Sequence, residues 1–383
     1  MNIIFKEKVK MKKLLSMSAA IILCCTMATG CGVTSTDSST AAKTTNANGS
    51  TASQADAGTS LDETTLNVYT ALEDEQVADY LTTFQEAHPD VTINITRDST
   101  GVITAKLLAE KDNPQADVVW GLSAASLLEL KSAEMIEPYA PEGSDKILDE
   151  FKDTTSDVPS WVGIDAWETA FLVNKEVLAS AGVTDIPQSF EDLLDPQYKG
   201  LIAMSDPASS GTGLLTVNGV LSLYGEEEGW NYLDKLDENV AVYLHSGSAP
   251  AKDTAAGEYG IGVSFGYRCI KSAADLGDNG VVVFPSEGSG WDVEANCLIN
   301  KADGEKDIAK AFLDWAITDD MMEKYKTNYP IVATGTGDEI PEGYTQNPVD
   351  QLIKDVDLQW CADNRESILT EWTNRYGAKS AEE

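Results

Sequence analysis

Apolar positions along this chain switch between two spacings. Leu66-Asn67-Val68-Tyr69 alternates over a few residues and predicts a short strand. From about Asp74, Val77, Tyr80, Leu81 and Phe84 recur at intervals of three and four, one apolar face of a helix. His88-Pro89 closes that helix, and Val91, Ile93 and Ile95 alternate as a second strand. A polar turn, Ser99-Thr100-Gly101, leads into a helix over Ile103 to Lys111 that ends at Asn113-Pro114. "ADVVWG" reads as a buried strand, after which Ser123 is placed to cap a helix running to Met135.

The second half repeats the style. "WETAFLVNKEVL" predicts a strand entering a short helix, and "PQSFEDLLDPQYKGLIAM" a helix, a turn and a strand. Helices follow over Leu214 to Tyr224 and Glu227 to Leu236, then strands in "YGIGVSFGY", "NGVVVFPSEG" and "ANCLIN". The tail predicts helices over Lys306 to Ile317, Asp319 to Tyr325 and Pro348 to Tyr376. Strands alternating with helices indicate an α/β protein with a largely parallel sheet, whose ligands gather at the carboxyl ends of the strands. No repeat at solenoid periods is present. The body from Leu61 to Tyr376 is longer than one hydrophobic core usually organises, so two lobes are expected.

The first sixty residues follow a different rule. Lys12-Lys13 precede an apolar run from Leu14 to Met27, and Ala28-Thr29-Gly30-Cys31 closes it: residues 1–30 read as a secretion signal, clean from Met11 onward and too short to span a bilayer. Small residues before a cysteine resemble the lipobox of bacterial lipoproteins, with Cys31 as the lipidated residue, although Ala28 stands where leucine is usual. From Val33 to Ser60 the chain is mainly Ser, Thr, Ala, Gly, Asn and Asp, too polar to offset its ordering entropy. Residues 31–61 are thus expected to tether the body to a membrane, with a coil reach of roughly 30 Å. Any membrane contact is expected only through that anchor.

Charge narrows the partners. With 27 basic and 63 acidic residues the chain carries −36, which excludes a basic nucleic-acid footprint and attraction to anionic lipid. Beyond Cys31 the mature cysteines are Cys269, Cys297 and Cys361; three make no complete disulfide framework, and both a Cys269–Cys297 bridge and buried free thiols stay open. No cysteine–histidine cluster has metal-ligand spacing, and no cofactor or resident metal is expected. His88 and His245 are the only histidines, and no G-x-S-x-G elbow, P-loop lysine or H-E-x-x-H is present. Paired carboxylates could still serve a hydrolase in so acidic a chain, but nothing positive points to an enzyme.

Two loops share one design. Ser99-Thr100-Gly101 and Ser209-Ser210-Gly211-Thr212-Gly213 each follow a predicted strand and open a helix. Helix N-termini present unpaired N–H groups and partial positive charge, glycine admits close approach, and hydroxyls add donors without charge: a cradle for a phosphate-like anion. The same residue types also serve as ordinary caps and turns. A third stretch, "HSGSAPAKDTAAGE", places Ser246 and Ser248 beside Gly247, and reads equally as a surface loop entering a helix. Tyr69, Trp120, Trp167, Tyr267 and Trp291 are the aromatics expected near the crevice, most of them as core.

"LNVYTALEDE", "RDSTGVITAKLLAEKDNPQADVVWG", "LLDPQYKGLIAMSDPASSGTG" and "FPSEGSGWDVEANCLI" resemble the ferric-iron- and 2-aminoethylphosphonate-binding group of substrate-binding proteins from bacterial ABC importers, over Leu66 to Trp315. The resemblance implies a periplasmic-binding-protein-like type II α/β fold: lobe 1 from 62–165 plus about 285–340, lobe 2 from 166–284, crossing hinge strands, a cleft between, and a C-terminal helical segment at 341–383. It implies a monomer outside the cytoplasm that closes on a small anionic ligand and delivers it to an ABC permease and its ATPase. The iron-binding members carry two adjacent tyrosines where this chain has Phe265-Gly266-Tyr267, which argues against free Fe³⁺ as cargo. By resemblance to the phosphonate-binding members, the anion contacts are Ser99, Thr100, Gly101, Ser209, Ser210, Gly211 and Thr212. Glu73, Glu294 and Trp167 are candidates for a ligand amine, and Thr70, Ser123, Ser246, Ser248 and Tyr267 complete the expected cleft. Relatives also bind sugar phosphates or chelated iron. A phosphoester-acting secreted enzyme and a sensor lipoprotein remain the alternatives of other classes.

Overall fold

The computed structural model describes residues 62–337 and 339–381. The expected secretion signal, Cys31 and the tether lie outside the described residues. Strand β1 (Thr65–Thr70) starts the first lobe, followed by helices α1 (Asp74–Tyr80) and α2 (Thr82–Ala87). Then come β2 (Thr92–Arg97), α3 (Thr100–Ala109), β3 (Val118–Ser123), α4 (Ala124–Ser132) and the short β4 (Ile136–Glu137). Strand β5 (Val162–Asn174) carries the chain into the second lobe. There it forms α5 (Lys175–Ser180), β6 (Ile202–Ser205), α6 (Gly211–Tyr224), α7 (Glu226–Asp237) and β7 (Val240–Leu244). Next are α8 (Ala249–Ala255), β8 (Ile261–Phe265), α9 (Gly266–Leu276) and β9 (Gly280–Val283). The chain returns through β10 (Trp291–Ile299), α10 (Asp307–Ala316), α11 (Asp319–Tyr325), β11 (Ile331–Val332) and β12 (Gly335–Thr336). It ends with α12 (Pro348–Gln351) and α13 (Leu358–Tyr376).

The strands run in the order β2-β1-β3-β10-β5-β8-β6-β7. The β2-β1-β3 and β8-β6-β7 runs are parallel, but β10 and β5 are antiparallel to their neighbours. The sheet is therefore mixed rather than largely parallel, because two long strands cross between lobes in opposite directions. The first half of β5 pairs with β10, and its second half with β8 and β9. One strand thus belongs to both lobes and joins them.

Two main apolar cores flank this seam. One gathers Leu66, Val118, Trp120, Ile164, Val293 and Phe312; the other gathers Phe171, Ile202, Val217, Leu233 and Val263. The tail braces both: Leu358 and Ala362 of α13 pack on the first core, and Ile368, Trp372 and Tyr376 are buried in the second.

Local departures from the sequence reading have physical causes. The single helix expected over Pro348 to Tyr376 is broken, because Ser289 exchanges backbone hydrogen bonds with Gln351 and Ile353 and draws the chain out straight. "SFEDLL" forms only a 3-10 turn. Helix α9 begins at Gly266, so Tyr267 lies on a helix rather than in a strand. Cys269, Cys297 and Cys361 are free and buried, which leaves no Cys269–Cys297 bridge, and burial pushes the Cys361 thiol up to about 12. No described helix is long and apolar enough to cross a membrane.

Candidate binding site

The N-termini of α3 and α6 meet at the lobe boundary. Ser99 is the extended cap of α3; Ser210 caps α6, its hydroxyl accepting from the Gly213 N–H at 3.3 Å. Asp206 shapes the approach to α6, with its carboxylate accepting from the Ala208 N–H at 2.9 Å and its carbonyl from the Ser210 N–H at 2.8 Å. Across the boundary, the Gly101 N–H donates to the Ser209 carbonyl at 3.1 Å. The lobes approach so closely that a side-chain carbon on Gly101 would stand 2.7 Å from the Ser209 oxygen, and one on Gly211 2.6 Å from Thr100 Oγ1. Glycine is needed at 101 because it meets the backbone of the other lobe, and at 211 because it meets the Thr100 side chain.

A narrow cleft lies against these helix ends. Of the residues expected from sequence, Ser99, Thr100, Ser123, Ser210, Gly211, Thr212 and Ser246 line it, as do Glu73, Trp167 and Glu294. The others do not. Thr70 is buried, its hydroxyl accepting from the Leu72 N–H at 3.1 Å. Gly101 and Ser209 spend their backbone on each other, and the Ser209 hydroxyl turns to the His245 carbonyl at 2.9 Å. Ser248 sits behind Ser246, hydroxyl to hydroxyl at 3.0 Å. Tyr267 is buried and stacked between Phe265 and Tyr329. Trp120 belongs to the first core, and the Tyr69 and Trp291 side chains point to Glu110 and to the Ile353 carbonyl.

Sequence reasoning missed the cations. Arg97 lines the cleft, with Nε donating to the Leu72 carbonyl at 2.9 Å and Nη2 lying 3.1 Å from Glu73 Oε1. Arg268, from α9 in the other lobe, reaches Glu73 Oε2 at 2.8 Å and also pairs with Glu75. Lys252 of α8 lies 3.3 Å from the same Glu73 oxygen. Glu73 is therefore surrounded by three cations of the protein, two of them from the opposite lobe. The chain has only four arginines, and that scarcity was the available signal for Arg97 and Arg268. Gln76 and Tyr329 were also missed; they hydrogen-bond to each other at 3.0 Å on the cleft wall.

The cleft is polarised. Its helix-end side offers hydroxyls and the positive ends of two helix dipoles, a setting that favours an anion. Its floor, on β5 and β10, offers Glu294 and Trp167, whose Oε2 and Nε1 have no partner in the protein. Among the described residues no group of His, Cys, Asp and Glu is placed to hold a metal ion. Such a surface can hold an ion with a second polar end.

Comparison with known proteins agrees with this arrangement. The model of the bacterial extracellular solute-binding protein family matches residues 79–348. An uncharacterized protein of Haemophilus influenzae is 30% identical over 290 residues, 74% of this chain and 82% of its own. A probable ABC transporter periplasmic-binding protein, y4fP, of Sinorhizobium fredii is 26% identical over 275 residues, 68% of this chain and 72% of its own. A putative 2-aminoethylphosphonate-binding periplasmic protein of Salmonella typhimurium is 27% identical over 155 residues, 39% of this chain and 41% of its own. Among solved structures, the periplasmic binding protein AfuA of Actinobacillus pleuropneumoniae, with fructose 6-phosphate bound, superposes with a TM-score of 0.73 at 27% identity, over 82% of this chain and 98% of that one.

Proposed function

The chain belongs to the bacterial extracellular solute-binding protein family, and from that premise we propose that it captures a small phosphonate- or phosphate-bearing solute, first of all 2-aminoethylphosphonate, for an ABC importer. The observation that carries this reading is the meeting of α3 and α6, one helix N-terminus from each lobe, on a cleft lined by hydroxyls. An anion held there touches both lobes at once, so binding favours the closed arrangement by the differential contacts it makes. Thr100 and Ser99 would serve one side, Ser210, Gly211 and Thr212 the other, with Ser246 and Arg97 at the margin. The solute would pass unchanged to the permease and its ATPase. The protein would act as a monomer held to the membrane by a lipid on Cys31.

A second reading is a sugar phosphate, favoured by the likeness to AfuA, whose structure holds fructose 6-phosphate. Calorimetric titration with 2-aminoethylphosphonate, glucose 6-phosphate, inorganic phosphate and ferric citrate separates the two. Thr212→Val should abolish binding of the preferred phosphorus compound with the fold intact. Undiminished affinity in that variant would remove the cradle from the account.

A further inference from the structure

Asp165 on β5 and Glu294 on β10 stand opposite each other in the antiparallel register of the two strands that join the lobes. Directly opposed residues of such a pair have side chains close enough to touch. Asp165 is completely buried and Glu294 is 8% exposed. Neither Asp165 oxygen has a hydrogen-bond partner, and neither does Glu294 Oε2. Glu294 opens onto the cleft, while Asp165 does not line it. No protein donor serves the pair fully.

The surroundings add more acid and no counter-charge. Glu168 on β5 is also buried with Oε2 unpartnered. Glu73 at the cap of α1 and Asp292 on β10 both press on Glu294 electrostatically, and Tyr80 on α1, Tyr325 on α11 and Tyr329 in the loop after it lie within electrostatic reach of the pair. Asp292 is satisfied by the Ser123 hydroxyl at 2.5 Å and the Val293 N–H at 2.6 Å. Among the described residues no lysine or arginine forms an ion pair with Asp165, Glu168, Asp292 or Glu294; the cations nearest the cleft converge on Glu73. Burial is the main force on Glu294, raising it to about 8, with Glu73 and Asp292 pushing the same way and the neighbouring Asp165 and Tyr329 opposing. Burial raises Asp165 well above the ordinary range too. An unpaired buried carboxylate is costly, so such a cluster is held with a proton or with a cation that is not part of the protein.

We propose that Glu294, backed by Asp165, is a second recognition subsite that takes a primary ammonium group of the ligand in exchange for a proton. This rests on the reading of the helix ends as an anion cradle, and it makes the ligand a zwitterion with phosphonate or phosphate at one end and an amine at the other. The Glu294 O–H bond breaks, its proton leaves to solvent, and the carboxylate becomes the counter-ion of the entering ammonium, so the charge of the floor is unchanged. A hydroxyl could accept a hydrogen bond there but would bring no charge to compensate the ionised carboxyl. Polyol phosphates and inorganic phosphate therefore gain nothing from proton loss. Asp165 is a positioning residue that never meets the ligand.

The test is calorimetry of the purified protein with 2-aminoethylphosphonate and with ethylphosphonate, which lacks the amine, in two buffers of different ionisation enthalpy. The ammonium eases ionisation of its own phosphonate, so each probe's phosphonate titration is measured separately and subtracted, and the remaining difference isolates the amine subsite. The amine should improve affinity by about ten- to a hundredfold, the range for a hydrogen-bonded charge, and its binding should release up to one extra proton near pH 7. That preference should grow from pH 6 to pH 8 as Glu294 ionises more easily. Glu294→Gln should erase it while leaving ethylphosphonate binding intact, which also reports that the variant is folded. Asp165→Ala should shift the pH dependence of the preference upward, since it removes the neighbour that opposes the rise of Glu294. Equal affinity for the two probes, or no extra proton release, overturns the subsite and leaves the anion cradle standing. If neither probe nor inorganic phosphate binds, the cradle reading fails and the subsite fails with it.

Discussion

The Gly101 N–H of one lobe donates to the Ser209 carbonyl of the other at 3.1 Å, so the two helix ends that form the cradle are tied directly together. A methyl group at position 101 would stand 2.7 Å from that carbonyl and 2.9 Å from the Ala208 oxygen, closer than real side-chain carbons come. Backbone cannot yield cheaply there. Gly101→Ala should keep its helix, where alanine is the better former, and should obstruct closure alone. The expected result is at least tenfold weaker ligand binding, about 1.4 kcal/mol, with an undiminished thermal midpoint for the free protein. Wild-type affinity in this variant would mean that the lobes need not approach so closely.

Glu73 fastens the mouth of the cleft. Its carboxylate receives Arg268 and Lys252 across the lobe boundary and Arg97 from its own lobe. Lys252 is half exposed and its contact contributes little, but Glu73 and Arg268 are largely buried, where an unpaired partner is expensive. Glu73→Gln leaves Arg268 with the half-exposed Glu75 and Arg97 with the more distant, exposed Asp74 as their remaining counter-charges in the closed form. Ligand dissociation should accelerate by about tenfold or more, since losses of this kind fall mainly on the off-rate. Stopped-flow release measures this directly, and an unchanged rate would show that closure does not depend on the cluster.

Glu168 gives the fold a pH dependence of definite sign. Burial holds its carboxyl at about 8, against an ordinary value of 4.5 in the unfolded chain. Between those two values the folded form binds more protons than the unfolded form, so stability falls as pH rises, by at most about 1.4 kcal/mol per unit for one group. Glu168→Gln should match wild type near pH 5 and exceed it by pH 8, with part of the slope remaining from Asp165 and Glu294. Denaturant titrations at pH 5, 6.5 and 8 check this. Parallel curves for the two proteins would refute it.

Local features of the site could be read from the chain, and long-range ones could not. Ser99-Thr100-Gly101 and Ser210-Gly211-Thr212 announce themselves because cap and turn chemistry is written in neighbouring residues. Glu73 could be marked as a carboxylate near the cleft, but its commitment to Arg268 joins positions 195 residues apart. The mixed sheet has the same origin: the direction of β10 follows from where the chain returns, and apolar alternation carries no direction. Asp165 was within reach, as an acid inside the otherwise buried strand "VGIDAWETAFLVN". Such a residue conflicts with its element, and conflicts of this kind concentrate at functional sites.

The central claim is that the cleft between α3 and α6 holds a phosphorus-centred anion, and thermal unfolding of the purified protein against rising 2-aminoethylphosphonate tests it most directly. A ligand that binds only the folded form at a hundred times its dissociation constant adds about 2.7 kcal/mol, which appears as a clearly raised midpoint. The account predicts that rise, and predicts its disappearance in Thr212→Val. A midpoint that stays fixed at saturating 2-aminoethylphosphonate, glucose 6-phosphate and inorganic phosphate alike would contradict it, and would leave the two helix ends as capped helices that merely touch.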